Sequence, residues 1–501
     1  MAHIEVGKEP LDWQSLCSLS LENTKLSLSQ EVWKQVSDCR DYLDQKLSKD
    51  QAVFYGINTG FGALCQEKID KESLSVLQEN LVKSHACGTG APLPREISRS
   101  MLALKILSLS KGHSGIHPDT LALLLELYNR DWIPWVPRQG SLGASGDLAP
   151  LAHLVLPLIG LGKLETKDGL FAPDTLFAQH GLKPRQLQAK EGLALLNGTQ
   201  FMGAVCLHAL HRAEKSGNWA NWLAALSIEA WMGHSSPFDA LVHDLRPHRG
   251  QQACAASIRS LLKGSELQQL ERKQVQDPYA FRCVPQVHGA CFDVMDQVRH
   301  CLWTELNAVT DNPLIFPKED KIISAGNFHG EPLALAADQL KLAVAELGNI
   351  SERRVYKLLH GQQGLPEFLV AKPGLNSGFM IVQYSAASLV SYNKQLATPA
   401  SVDSIDSSKG QEDHVSMGAN AALQCLHMVE HTESVLGLEL LTAAQALDFR
   451  RPKQSSPPLE QLHQRFRSLV PFVSEDQYMH PLMEKAMHFV RTQNPESHLS
   501  L

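Results

Sequence analysis

Apolar residues recur at helical spacing along most of the chain. From Leu333 the positions Ala336, Leu340, Ala343, Leu347 and Ile350 follow a 3-4 rhythm, while Asp338, Lys341 and Glu346 take other faces. That pattern predicts a long packed helix. The same rhythm predicts helices over residues 101–109, 120–128, 198–225 and 419–447. The last of these is mostly apolar and small residues, as befits a helix enclosed by other helices. Strand signals are short and few; Leu314-Ile315-Phe316 and Lys321-Ile322-Ile323 predict a small hairpin. No internal repeat or low-complexity tract breaks the pattern. The expected fold class is mainly α.

Polar, Gly-rich or Pro-rich stretches separate the helices at residues 55–62, 84–94, 138–150, 276–283, 326–332 and 401–417. Loops held by a rigid scaffold carry most chemistry, so these are the places to look for a site. By contrast 451–458 reads as a plain connector and 491–501 as a frayed tail.

With 501 residues an ample core can be buried. A net charge of −7, with His and Arg scattered, argues against a nucleic-acid surface, whose footprint is a basic face. The longest apolar run, 151–162, is interrupted by His153 and Pro157, so no membrane span is expected. Met1-Ala2-His3-Ile4-Glu5 lacks the features of a signal peptide. Ten cysteines without a Cys-x-x-Cys pair are expected to be reduced thiols in a cytoplasmic protein.

The most informative loop is Gly140-Ser141-Leu142-Gly143-Ala144-Ser145-Gly146-Asp147-Leu148-Ala149-Pro150. Taken alone it reads as a turn, since Gly supplies positive φ and Ser bonds local backbone. It also contains Ala-Ser-Gly, which can cyclise: attack of Gly146 N on the Ala144 carbonyl and loss of two waters make a methylidene-imidazolone. That product is a carbon electrophile, which side chains do not otherwise supply. A nucleophile elbow would need Gly, and a phosphate loop Lys, where Asp147 stands. His427-Met428-Val429-Glu430-His431 fits a zinc-protease pattern, but no third ligand is evident, and among 22 histidines a chance match is not rare.

Together the loops make the chain resemble the aromatic amino acid ammonia-lyases that carry a methylidene-imidazolone group, most closely the histidine ammonia-lyases. The resemblance spans roughly residues 27–487. It rests on Tyr55 to Gly62, Ser84-His85-Ala86, Gly140 to Leu151, Leu196-Asn197-Gly198-Thr199-Gln200, Gln276-Asp277-Pro278-Tyr279, Asp311-Asn312-Pro313-Leu314, Gly326-Asn327-Phe328-His329 and Gln411 to Met417, all in the family's order. It implies an aspartase-like long central helix bundle with an N-terminal loop-rich active-site region. The chain would be one catalytic unit, 1–501: 1–200 with the electrophile-forming loop, 201–450 the long-helix core, and 451–501 the C-terminal helices and tail. It further implies a homotetramer whose active sites draw on more than one subunit, a prosthetic group made from Ala144, Ser145 and Gly146 with no metal required, and elimination of ammonia from L-histidine to give trans-urocanate, the first step of histidine degradation.

Roles follow from the same resemblance. Tyr55 is expected to remove the β-proton, which requires that its ordinary pKa of about 10 be lowered. Arg282 matches the position that clamps the substrate carboxylate, for which a bidentate fork is well shaped. Asn197 and Tyr279 match positions that help form and stabilise the prosthetic group, Gln276 a substrate-side polar position, and Phe328 a ring packed beside the group. His85 suits histidine-type and tyrosine-type relatives. Glu412 favours histidine, because a carboxylate facing a bare phenyl ring would be buried and unpaired. Asp406, Lys409, Phe281 and Cys87 depart from the residues common in relatives. A tyrosine ammonia-lyase or aromatic aminomutase is the alternative within the family; outside it stand a zinc metallopeptidase and a non-catalytic assembly protein.

Overall fold

Helices dominate the computed structural model, which describes residues 3–49, 53–64 and 66–495. All five predicted helices are present and longer than their periodic stretches: Arg95–Ser110, Pro118–Arg130, Gln200–Trp231, Glu331–Leu358 and Gly418–Asp448. Termini explain the extra length. Pro118 opens its helix at the first helical position, where a fixed φ suits and no N–H is missed, and Asp131 closes it in the left-handed region. The predicted hairpin pairs Leu314 with Ile323, Ile315 with Ile322 and Phe316 with Lys321. Other strands are equally short; His3–Val6 runs parallel to Lys25–Leu28, and Ile133–Pro134 joins Leu164–Thr166 and Gly169–Phe171.

Two compact units are present. One comprises Met1–His208, His300–Ala337 and Pro399–Leu423; the other comprises Ala209–Arg299, Asp338–Thr398 and Gln424–Leu501. In the first, the helices Leu74–His85, Leu148–Val155 and Glu191–Leu196 pack on one another.

In the second unit, Gln339, Glu346 and Arg353 of the helix Glu331–Leu358 are exposed, but some of its polar residues are enclosed along with apolar ones. Ala343, Leu347 and Ile350 are buried as the rhythm predicts, but so are Asp338 and Lys341. Lys341 Nζ lies 2.7 Å from Asp338 Oδ1 and donates to Gln424 Oε1 at 2.7 Å, which makes burial of both charges tolerable. Glu439, on the enclosed helix, likewise accepts from Arg354 Nη2 at 2.8 Å, Ser351 Oγ at 2.5 Å and Ser227 Oγ at 2.7 Å.

The stretch 451–458 is more than a plain connector. Arg451 forms a bidentate pair with Glu460, both distances 2.8 Å, and Pro457 begins the helix Pro457–Arg467. Of the expected frayed tail, Arg491 and Thr492 still belong to the helix His480–Thr492, Gln493 O accepts from Trp219 Nε1 at 3.1 Å, and 496–501 lie outside the described residues. Among the described residues no helix is long and apolar enough to cross a membrane.

Candidate active site

Helix ends of the first unit surround the Gly-rich loop. Thr89–Pro92 pairs antiparallel with Pro137–Gln139, so the chain leaving His85 lies beside the chain entering Gly140. The loop then meets the segment after Leu196: Gly146 bridges Gly198, and Asp147 N donates to Gly198 O at 2.8 Å. Gly146 has φ +73, and a Cβ there would stand 2.2 Å from Gly198 O. Only glycine tolerates both the conformation and the approach. On the far side, Met417 N donates to Leu142 O at 3.0 Å and ties the loop to the 401–417 segment.

Two buried charges brace this arrangement. Asp147 accepts from Met202 N at 2.9 Å, near the N-terminus of Gln200–Trp231, and from Ser141 Oγ at 3.0 Å. Burial pushes its carboxyl up to about 7, opposed by those hydrogen bonds and by the Lys105 ammonium. Lys105 sits fully enclosed in the apolar helix Arg95–Ser110 and donates to Asn197 O at 2.6 Å and Ala194 O at 3.2 Å. Burial brings it down to about 7. Asn197, itself buried, donates from Nδ2 to Asn312 O at 2.7 Å, while its Oδ1 has no partner among the described residues.

Glu412 approaches from the 401–417 segment. Its Oε1 accepts from Ser145 Oγ at 3.1 Å, and its Oε2 from Ser407 Oγ at 3.0 Å and Ser408 Oγ at 3.2 Å. His85 closes its helix with Nδ1 at 2.9 Å from Leu81 O. A carbonyl can only accept, so the ring proton is on Nδ1 and Nε2 keeps its lone pair. Burial, the larger influence, holds His85 below its ordinary pKa, with Leu81 O and Glu412 opposing. Tyr55 is half-buried and its hydroxyl accepts from Gly62 N at 3.3 Å. The short turn Gly62–Leu64 packs on Ser408–Gly410, beside Glu412. Phe328 lies half-buried in the turn closed by the His329 N to Gly326 O bond of 2.9 Å.

The remaining expected residues belong to the second unit. Gln276 is exposed, Tyr279 is 69% exposed, and the Arg282 guanidinium lies 4.4 Å from the Tyr279 ring centroid. On the protease-like stretch, Glu430 pairs with Arg212 at 3.4 Å and His431 Nδ1 lies 2.8 Å from Asn393 Oδ1. Those groups are committed to helix packing.

The sequence pattern of the aromatic amino acid lyases matches residues 11–468. The chain belongs to the aromatic amino acid lyase family. A histidine ammonia-lyase of Deinococcus radiodurans is 48% identical over 475 residues, 94% of this chain and 90% of that relative. Among solved structures, histidine ammonia-lyase from Trypanosoma cruzi superposes with a TM-score of 0.91 at 40% identity, covering 99% of this chain and 94% of the other. Tyrosine aminomutase from Streptomyces globisporus gives 0.93 at 34% identity, with 99% and 98% covered.

In this aromatic amino acid lyase four further residues support the site: Lys105, Asp147, Ser407 and Ser408. In the sequence, a lysine inside the apolar stretch 101–109 is the signal for the first, and Asp147 stands next to the Ala-Ser-Gly tripeptide. The two serines acquire meaning only through Glu412, to which the fold brings them.

Proposed function

We propose that the chain eliminates ammonia from L-histidine to give trans-urocanate, using a methylidene-imidazolone formed from Ala144, Ser145 and Gly146. The contact of Ser145 Oγ with Glu412 Oε1, 3.1 Å, carries this reading, because it sets a carboxylate suited to an imidazole N–H beside the tripeptide. The loop fits the group: Gly146 leaves no Cβ in the way of closure, and Asn197 has a second amide N–H to offer a ring oxygen. The group supplies an electron-accepting carbon that makes the amine a better leaving group.

The chain's own residues do the rest. Glu412 and the Nε2 lone pair of His85 accept from the two ring N–H groups of the substrate in its imidazolium form. Tyr55 takes the β-proton at its phenolic oxygen, helped by the Gly62 N–H, which favours the ionised phenol. Arg282 clamps the carboxylate, Gln276 contacts the substrate, and Tyr279 assists the prosthetic group; neighbouring copies in a homotetramer supply these three. Phe328 packs beside the group. Buried, unbridged Cys39, Cys254 and Cys425 suit a cytoplasmic setting.

Aminomutase or tyrosine lyase activity is the second reading, favoured by the likeness to tyrosine aminomutase and by His85, which also suits a phenol. One assay decides. Urocanate absorbance should rise with L-histidine, and coumarate should not form from L-tyrosine; the reverse result would reject the proposal.

A further inference from the structure

We propose that His329, Glu331 and His414 form a binding site for a divalent transition-metal cation of the zinc type, distinct from the elimination chemistry and not required by it. One ligand atom from each lies within 4.8 Å of the others. His329 and Glu331 flank Gly330 where the helix Glu331–Leu358 begins, and His414 follows Glu412 by two residues. The two imidazoles are nearly parallel, 8° apart in plane with centroids 5.8 Å apart.

Three details suit a cation. His329 Nε2 lies 3.3 Å from His414 O, which can only accept, so its proton is on Nε2 and the lone pair is on Nδ1. Glu331 N donates to that Nδ1 at 3.3 Å, a long hydrogen bond that a cation would displace. A ligating histidine held through its other nitrogen by a carbonyl is the usual outer support of a metal site. Glu331 Oε2 is buried with no hydrogen-bond partner among the described residues. A buried carboxylate oxygen without a donor is unfavourable, and a cation would neutralise it. Two imidazole nitrogens and one carboxylate oxygen, with a fourth place for water, suit zinc, cobalt or nickel rather than magnesium or calcium.

Ligand atoms around a tetrahedral ion with bonds of about 2.1 Å stand roughly 3.4 Å apart, so the set must contract on binding. His414 is exposed and can turn inward. Occupancy would then join the segment bearing Phe328 to the segment bearing Glu412.

L-Histidine chelates such metals, so the test is made without substrate on chelator-stripped protein titrated with Co²⁺. Expected is one equivalent per chain with visible bands of a tetrahedral nitrogen–oxygen site, bleached by Zn²⁺, and a metal-dependent rise in melting temperature. His414→Gln and the isosteric Glu331→Gln should lose both signals with apo melting unchanged, while His431→Gln, in the unrelated protease-like stretch, should keep them. Absence of stoichiometric binding in the wild type, or undiminished binding in His414→Gln and Glu331→Gln, would overturn the proposal, as would loss confined to His431→Gln.

Discussion

Ser145 Oγ donates to Glu412 Oε1 at 3.1 Å across 267 positions of chain. Ser407 and Ser408 occupy the other carboxylate oxygen. If Ser145 is dehydrated as proposed, one of these three donors is lost and Oε1 becomes an open acceptor beside the tripeptide. Maturation of the tripeptide and the readiness of Glu412 for a substrate would thereby be linked.

Ser145→Ala removes the hydroxyl whose departure would complete the proposed group. Its side chain is partly buried and hydrogen-bonds Glu412 at the loop surface of the site, so folding should survive. Intact mass should show the wild type lighter than its translation by about 36 Da, two waters, and the variant not. Turnover of L-histidine should vanish in the variant; wild-type rates there would contradict the mechanism.

Glu412→Gln keeps the size of the side chain but loses the charge. A hydrogen bond to a charged group is worth about 1.5–3 kcal/mol, so kcat/KM for L-histidine should fall roughly 10- to 150-fold. Discrimination against L-phenylalanine, expected near 10⁴ for a site built around a polar edge, should shrink with it. Steady-state rates on both amino acids check this, and unchanged selectivity would remove Glu412 from substrate recognition.

Local periodicity made the helices legible, and the reactive tripeptide stood out because its chemistry lies within three consecutive residues. What surrounds that tripeptide did not. Lys105 is one polar residue within a helical rhythm, yet it is enclosed and reaches Asn197 O, 92 positions on. Asp338 and Lys341 similarly occupied polar places in a helical rhythm and turned out to be paired inside the second unit. Periodicity tells which face is apolar; it does not tell whether the opposite face is also covered. Gln276, Tyr279 and Arg282 take their roles from family resemblance alone.

Lys105→Met tests the brace under Asn197. Methionine fills similar space but leaves the carbonyls of Asn197 and Ala194 without this donor. Relief from burying an ammonium offsets part of that loss, so the net destabilisation should be about 1–3 kcal/mol. A urea midpoint lower than wild type, with a smaller fraction of chains showing the two-water mass loss, is the expected result. An unchanged midpoint would mean that the buried ammonium contributes nothing to the loop's support.

Asp147→Asn separates charge from hydrogen bonding at the same brace, since the amide oxygen can still accept from Met202 N. Burial raises the carboxyl from 3.8 to about 7. Between those values the folded state holds a proton that the unfolded chain has released, so this group's share of stability is greatest below the lower value and is lost as pH rises to the upper one. Asparagine has no proton to lose. Relative to wild type, the variant should therefore gain stability steadily from about pH 4 to about pH 7 and show a constant difference above that. Melting temperatures of both proteins across this window provide the check; a difference independent of pH would mean that Asp147 stays ionised in the folded state throughout, with Lys105 and the surrounding donors outweighing its burial.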